Sequence, residues 1–185
     1  MLRQFKGVTL ADIEQEAGMT RGAIFYHARN KEDLYRKVVK RYWIDNQDII
    51  NQVDKDSVTL KEFINNYTAS INKMMQELQK LLPGCSLQQV SKAYLSFLMQ
   101  LRDSAPDLHD EYLSNRTNQL FAWNDVLRNA VANGEIIKDI DTFAFAQAFL
   151  YLFYGQTFWE SLDNGLNIDQ LRRNYMKIYD AIKIR

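Results

Sequence analysis

The sequence predicts an all-α protein in which an N-terminal helix-turn-helix head precedes a multi-helix body. Apolar residues recur with the 3.6-residue period of a helix through much of the chain, and no segment alternates convincingly with a period of two. Two prolines and seven glycines interrupt 185 residues, which suits long helices joined by few turns. Three helix-start signals also lie close together within residues 9–30. We therefore expect a head at residues 1–45 and a body at residues 46–185.

The helix-turn-helix pattern lies between Val8 and Lys40. Thr9 is expected to cap a first helix, because its side-chain oxygen can accept a hydrogen bond from the backbone N–H three residues on. Gly18 is expected to end that helix in the left-handed conformation that glycine adopts without strain. Thr20 and Asn30 are expected to cap two further helices. Two short helices joined by a tight turn that contains glycine are typical of a helix-turn-helix.

The second of these helices carries side chains suited to recognising DNA. A recognition helix enters the major groove with its N-terminal residues at the base edges, and Arg21 lies at that end. Arginine bound through two hydrogen bonds to guanine is the commonest specific contact. Lys31, at the start of the next helix, is placed to meet a phosphate. The spacing alone also fits a solvated helical hairpin of an ordinary all-α protein, so that alternative stays open at this point.

The body is predicted to be a succession of amphipathic helices. A connector helix follows the head at about residues 30–51. Capping boxes at Thr59 and Ser86 are expected to start the next two helices, with Glu62 and Gln89 in the reciprocal positions. Pro83-Gly84 is expected to end the first of these and Pro106 the second. The later helices are expected at about residues 107–132 and 142–159, and from Asn167 or Asp169 to about residue 182.

The run LADIEQEAGMTRGAIFYHARNKEDLYRKV, residues 10–38, resembles the DNA-binding segment of TetR-family (AcrR-like) transcriptional repressors. The likeness includes the preceding Thr9, the AG-x-T-RGAI core and the Asn30-Lys31 pair. A looser likeness to the end of the TetR-family body covers residues 133–141 and the helix after them. The resemblance implies a head that binds operator DNA. The candidate DNA-contacting residues are Thr9, Thr20, Arg21, Gly22, Tyr26, His27 and Lys31.

Two features depart from the family pattern. Family members usually begin with a full helix before the position of Thr9, whereas only Met1–Lys6 precede Gly7 here. Position 28 is Ala, where the family usually has a Phe that packs inside the head. Burying a Phe contributes on the order of 1.5–3 kcal/mol, so the expected head has a shortened first helix and a small core. The start of the protein is misassigned, or the head is weakened.

The segment Thr142–Trp159 is the most apolar helix of the chain, with eight aromatic residues. A helix that is apolar nearly all round must be covered on more than one side. The family resemblance implies a homodimer, with this helix and the last one forming an intermolecular four-helix bundle. The alternative is a helix that lies wholly at the centre of a monomer. The candidate interface residues are Phe149, Phe153, Leu171, Tyr175, Ile178 and Ile182.

The body is also rich in aromatic residues and methionine. Small-molecule sites in helical bundles lie between helices, so some of these side chains are expected to line a cavity. For any single one of them, the hydrophobic core is the favoured alternative. The apolar stripes carry no charge, which favours a neutral or apolar ligand. The candidate pocket residues are Phe63, Tyr67, Met74, Phe97, Phe121, Asn124, Gln147 and Tyr151.

Composition and charge limit the possible functions further. Residues 1–43 hold nine Lys and Arg against five Asp and Glu, which leaves 14 against 18 for the rest of a chain of zero net charge. A basic head on an acidic body fits a protein that meets nucleic acid at one end. No catalytic or metal-binding motif is present, so we expect neither an enzyme nor a cofactor. His109-Asp110-Glu111 is interpreted as an acidic helix start.

The lack of a recognisable targeting signal and the cysteine content together predict a cytoplasmic protein. Met1–Leu10 lacks the apolar stretch of a signal peptide, and Phe143–Trp159 is shorter than the ~20 apolar residues that span a bilayer. The single cysteine, Cys85, is compatible with a reducing compartment.

The predicted function is that of a one-component DNA-binding transcriptional regulator. The most consistent form is a homodimeric repressor, released from a palindromic operator when a small, largely apolar ligand binds the body. The alternative is a ligand-binding or protein-interaction module of TetR-like fold that no longer binds DNA strongly. That alternative is motivated by the short first helix and by Ala28.

Overall fold

Helices make up about four fifths of the computed structural model, which describes residues 7–44, 58–82 and 84–184. Within those ranges there are eight α-helices and no strand, so the predicted all-α class is confirmed. The helices are α1 (Leu10–Ala17), α2 (Arg21–His27), α3 (Lys31–Val39), α4 (Leu60–Lys80), α5 (Leu87–Ser104), α6 (Pro106–Ala132), α7 (Thr142–Ser161) and α8 (Ile168–Ile182). A short π-helical turn, Lys40–Ile44, continues α3.

Local sequence signals set the helix boundaries in the head. The Thr9 side chain accepts from the backbone N–H of Asp12, and the Asp12 carboxylate accepts from the Thr9 N–H, which makes a reciprocal capping box. Gly18 ends α1 with φ of 61°, in the left-handed region that favours glycine. Thr20 caps α2 and Asn30 caps α3, each through its side-chain oxygen. The three predicted caps are therefore confirmed.

The body helices begin where the sequence predicted. Capping boxes start α4 at Thr59 and α5 at Ser86, and Asp141 caps α7. Asn167 rather than Asp169 caps α8, because its side chain accepts from Gln170 N–H. The long helix α6 begins one residue earlier than expected, since Pro106 occupies its first turn, where a missing N–H costs nothing.

Three sequence predictions fall outside the described residues. They are the structure of Met1–Lys6, the boundary between head and body at residues 45 and 46, and the part of the connector helix beyond Ile44.

The body is built around a cluster of buried aromatic rings. The Trp123 ring stacks on Phe149 with centroids 4.6 Å apart, and it meets Phe63 and Tyr67 edge-on at 4.8 and 5.0 Å. Tyr175 of α8 closes the cluster at 5.6 Å from Trp123. All five side chains are buried. Because these rings come from α4, α6, α7 and α8, the cluster ties four helices together.

Two loop contacts hold the ends of these helices. The Glu135 carboxylate accepts from the N–H groups of Leu60 and Lys61, so the turn after α6 satisfies the start of α4. Gly165, with φ of 99°, lies between α7 and α8, where a Cβ would come within 1.8 Å of the Gln88 carbonyl oxygen. Only glycine permits this approach to α5.

The head rests on the body through α3. Arg36 pairs with Asp107 at 2.8 Å, and Lys40 pairs with Glu111 at 3.1 Å. Beside these exposed ion pairs, Val39 is buried in a small apolar cluster with residues of α5 and α6. Since exposed pairs contribute only about 0–1 kcal/mol each, the apolar cluster is the stronger part of this contact.

Within residues 7–44, the described part of the head, few side chains are buried. No residue of α1 is buried, and α2 buries only Ile24. Ala28, the position where the family resemblance implied a Phe, is buried but small. Few buried apolar contacts allow a segment to open locally at low free energy.

We therefore expect amides in residues 10–27 to exchange hydrogen much faster than those in residues 143–159. The physical reason is that α7 buries Ala146, Phe149, Leu150 and Phe153, whereas α1 buries nothing. Hydrogen–deuterium exchange followed by mass spectrometry measures both segments in one experiment. Equal protection of the two segments would show that the head resists local opening as well as α7 does.

Candidate functional site

The exposed face of α2 carries most of the predicted DNA-contacting residues. Ile24 and Ala28 turn inward, so Arg21, Tyr26 and His27 lie on the outer surface. Tyr26 is 87% exposed, and its ring meets His27 edge-on at 5.2 Å. So exposed an aromatic side chain contributes little buried apolar area to the fold of its own chain. This placement suits contacts with another molecule.

Small residues let a partner approach the start of α2. Gly22 is exposed, and open space surrounds the position where its Cβ would lie. The Thr20 oxygen is engaged in the cap of α2, accepting from Ala23 N–H at 3.3 Å. The Thr9 hydroxyl donates to Asp12 at 2.6 Å in the cap of α1. Both threonines therefore set the helix starts, and both are exposed.

Arg21 is held by an ion pair within the head. Its Nε donates to Glu14 Oε1 at 2.9 Å, which links the start of α2 to α1. The Arg21 side chain is still 60% exposed. To bind a base edge, the guanidinium must use its other N–H groups or leave Glu14.

Lys31 has a different placement from the one expected of a phosphate-binding residue. Its ammonium donates to the Val8 carbonyl oxygen at 2.7 Å, and the side chain is half-buried. This bond joins the start of α3 to the residue before the Thr9 cap. Lys31 therefore stabilises the head directly, which sequence spacing could not reveal because the two residues are far apart in the chain.

The turn between α2 and α3 adds cations that the sequence analysis missed. Arg29 is exposed there, and Lys37 donates to the His27 carbonyl oxygen at 2.8 Å and pairs with Asp33 at 3.2 Å. The Arg29 N–H and the Lys37 side chain hold the pKa of Asp33 below its usual value. Asp33 thus stays charged at the N-terminus of α3 and fixes this turn.

The eight predicted pocket residues do not surround one cavity. Phe63, Tyr67 and Met74 are buried in the body core, whereas Phe121 and Tyr151 are more than half exposed. The reason is that a helical stripe does not distinguish a core-facing side chain from a cavity-facing one. The two polar members are half-buried: Asn124 Oδ1 accepts from the Thr142 hydroxyl at 2.9 Å, and Gln147 lies on α7.

Phe97 alone of the eight lines the apolar groove between the head and the body. This groove has a volume of about 440 Å³ and is bordered by α1, α3, the end of α4 and α5. We call it the junction groove. Its volume is in the range of about 300–1,000 Å³ typical of small-molecule sites.

A group of tyrosine hydroxyls lies close together inside the body. Tyr112 and Tyr154 share a hydrogen bond of 2.9 Å between their oxygens, and the Arg116 guanidinium lies 5.5 Å from the Tyr154 ring centre. Burial raises the pKa of Tyr94, Tyr112 and Tyr154 above the ordinary value. These hydroxyls are therefore neutral donors and acceptors at physiological pH.

Most of the predicted dimer residues lie inside the chain's own core. Phe149, Leu171 and Tyr175 are completely buried, and Phe153 and Ile182 are nearly so. Ile178 is half-buried against the same core. The prediction therefore has to be corrected: these side chains pack within one subunit and offer almost no surface to a partner. The periodicity identified the apolar face of each helix but not what covers it.

A different face of α7 is left exposed and apolar. Tyr151, Phe158 and Trp159 lie along it, with Leu162 directly after the helix, and each is at least half exposed. Trp159 is the most exposed of them at 74%. An apolar patch of this kind marks an interaction surface on a soluble domain.

Comparisons with known proteins agree with this arrangement. Residues 2–38 match the family model described as bacterial regulatory proteins, tetR family. The chain is 22% identical over 188 residues to the HTH-type transcriptional repressor KstR2 of Mycolicibacterium smegmatis, covering 95% of this chain and 80% of that protein. It is 26% identical over 140 residues to the biofilm operon icaADBC negative transcriptional regulator IcaR of Staphylococcus epidermidis, covering 74% of this chain and 60% of that protein.

A solved structure shows the same fold over nearly the whole chain. The TetR-family transcriptional regulator from Agrobacterium tumefaciens superimposes with a TM-score of 0.66 at 17% identity, covering 97% of this chain and 89% of that one. The head and its matched segment define a helix-turn-helix transcriptional regulator. Residues 2–38 match the head of the TetR family, and the chain shares the fold of a TetR-family regulator over nearly its whole length. The resemblance inferred from residues 10–38 is thereby confirmed.

Metal-binding clusters and membrane-spanning helices are both absent from the described residues. No group of three or more His, Cys, Asp or Glu side chains is arranged to hold a metal ion in residues 7–44, 58–82 and 84–184. No helix in the same part of the chain is long and apolar enough to cross a membrane.

Proposed function

We propose that this protein is a one-component repressor that binds a palindromic operator as a homodimer and releases it when a small molecule binds. It acts in the cytoplasm, by binding alone and not as an enzyme. The head of residues 1–45 carries the DNA contacts, and the body of residues 46–185 carries the dimer and effector surfaces. Two relatives whose names describe a repressor and a negative regulator support repression rather than activation.

The exposed face of α2 is the observation that carries this proposal. Its cap, its buried Ile24 and its exposed Arg21, Tyr26 and His27 support this role, because a helix that enters the major groove presents exposed side chains to the base edges. In a twofold dimer, two such helices must be spaced by about 34–36 Å, or a multiple of it, to enter successive major grooves. The alternative is a module without strong DNA binding. It is motivated by the few buried side chains of α1 and α2.

Selection from a library of random duplexes tests the proposal, because it does not require an operator sequence to be chosen in advance. The expected result is an enriched inverted repeat that the full chain binds by fluorescence anisotropy, with affinity falling steeply as salt rises. Recovery of no enriched sequence, together with a folded dimeric body, would favour the alternative module.

Replacement of Arg21 tests the base-reading role on the selected duplex. Arg21→Ala is expected to cost about 1–3 kcal/mol of binding free energy and to relax specificity at one position of each half-site. The loss arises because Ala leaves a guanine edge without its two donors. Anisotropy titrations against the four base variants of that position measure both effects.

Two further variants control this result. Arg128→Ala removes an exposed cation from α6 of the body and is expected to leave DNA affinity nearly unchanged. Glu14→Gln keeps Arg21 but weakens the ion pair that holds it, so the variant is expected to bind DNA more tightly. An Arg21→Ala variant that weakens all sequences equally would assign Arg21 to the phosphate backbone.

A further inference from the structure

The junction groove has one wall from the head and one from the body. Ile13 of α1 and Leu34 and Val38 of α3 face Leu81 and Phe97 across it. Val38 and Leu81 are each 42% exposed, so the walls are apolar and accessible to solvent. Any molecule that fills this groove touches both parts of the protein at once.

The centre of the body is occupied by the chain's own side chains. Trp123, Phe149 and Tyr175 have no exposed surface and lie in ring contact with one another. The junction groove is already open at about 440 Å³, so a ligand can enter it without separating these rings. Preformed, mostly apolar clefts with a few polar groups are typical of small-molecule sites.

The polar residues of the groove indicate the chemistry of its occupant. Lys31 is the one charged residue among the described residues that line it, and Ser96 and Gln100 add hydrogen-bonding groups. The Lys31 ammonium also donates to the Val8 carbonyl oxygen at 2.7 Å, which holds it at the groove wall. A positive charge at an apolar wall favours a ligand with an anionic or strongly accepting group.

We propose that the junction groove binds a small apolar molecule that carries one anionic or hydrogen-bond-accepting group, with that group beside Lys31. As an effector site this rests on the proposed function, but the binding itself does not require it. The volume is near the lower end of the usual range, which suits a compact compound of up to about three rings.

The position of the groove gives a ligand direct influence on the head. Arg36 and Lys40 hold a different face of α3 to the body through exposed ion pairs with Asp107 and Glu111. Such pairs are weak and tolerate small rotations. An occupant on the groove face therefore fixes the angle between α3 and the body, and with it the direction of α2.

Two fluorescent probes of the same skeleton test the site. Anilinonaphthalene sulfonate carries one anionic group on an apolar frame, and phenylnaphthylamine has that frame without the charge. Titrations of the full chain are expected to show saturable binding of both, with the sulfonate bound more tightly. Lys31→Gln is expected to weaken the sulfonate by about threefold or more and to leave the neutral probe nearly unchanged.

Groove-filling variants locate the binding. Ser96→Phe on the body wall and Val38→Phe on the head wall are each expected to weaken both probes by about tenfold or more. Both positions are exposed, so the larger side chain does not disturb a buried core. Ser114→Phe makes the same change at an exposed position of α6 outside the groove and is expected to preserve probe binding. Circular dichroism confirms that each variant is folded.

Hydrogen exchange gives an independent measurement of contact with the head. Saturating anilinonaphthalene sulfonate is expected to slow exchange in residues 10–17 and 34–38 as well as at the end of α4. Probe binding that survives both groove-filling variants, or that protects only α7, would overturn the proposal, since the exposed aromatic face of α7 would then be the site. None of these measurements involves DNA, so they are independent of whether the protein represses.

Discussion

Phe149→Ala is expected to lower the free energy of unfolding by about 3–5 kcal/mol, the cost of truncating a fully buried Phe. Phe149 has no exposed surface, stacks on Trp123 at 4.6 Å and lies 5.5 Å from the Tyr175 ring centre. Removing its ring would leave a cavity at the point where α6, α7 and α8 meet. Chemical denaturation followed by tryptophan fluorescence and by circular dichroism measures the loss.

Phe121→Ala is the matched control, because the same side chain is lost from a position that is 52% exposed. Its effect is expected to stay within about 0.5 kcal/mol, as for surface substitutions without special contacts. The comparison also separates two roles for Phe149. If Phe149→Ala left unfolding unchanged and instead raised the dimer dissociation constant, the interface role predicted from the sequence would be right.

The helix boundaries were predictable because they depend on local chemistry. Thr9, Thr20, Asn30, Thr59 and Ser86 each accept a backbone hydrogen bond within three residues, and that geometry is encoded in the sequence spacing. The same holds for the left-handed turn at Gly18. None of these features depends on contacts with distant parts of the chain.

The outward residues of α2 were equally accessible to sequence reasoning. A seven-residue helix with Ile24 as its single buried anchor leaves its polar and aromatic residues exposed. The partners of those residues were not predictable. The Glu14 pairing of Arg21 and the Val8 pairing of Lys31 depend on how α1, α2 and α3 pack.

The body surfaces were harder to predict for a related reason. Phe149 and Tyr151 are two residues apart on one apolar helix, yet one is buried and the other is 54% exposed. A helix that is apolar nearly all round has no periodic signal that tells its inner face from its outer face. The junction groove was also hidden, because Leu34 and Phe97 belong to different parts of the chain.

The contact between head and body supports α3 from outside the head. The small cluster around Val39 and the Arg36–Asp107 pair hold α3 against the body, so α3 is supported from outside the head. Helices α1 and α2 then depend on α3 and on each other. In the proposed function, the head is the element of low local stability that a ligand biases.

In the proposed homodimer, Trp159→Glu is expected to convert the dimer largely to monomer at micromolar concentration. Trp159 is 74% exposed in the single chain and lies beside Phe158, with Leu162 directly after the same helix. Tryptophan is enriched among residues whose truncation costs at least about 2 kcal/mol of binding free energy, and a carboxylate in the same place adds a desolvation penalty. The dissociation constant should therefore rise by about 30-fold or more.

Sedimentation equilibrium over a range of concentrations measures this change. The subunit is expected to stay folded, because Trp159 packs against little of its own chain. Circular dichroism checks the fold. Leu113→Glu places the same charge on an exposed apolar position of α6, where it is expected to leave the dimer intact. Dimer dissociation should weaken binding to a two-half-site duplex far more than binding to a single half-site, because one subunit occupies only one major groove. A Trp159→Glu protein that still sediments as a tight dimer would place the interface away from this face of α7.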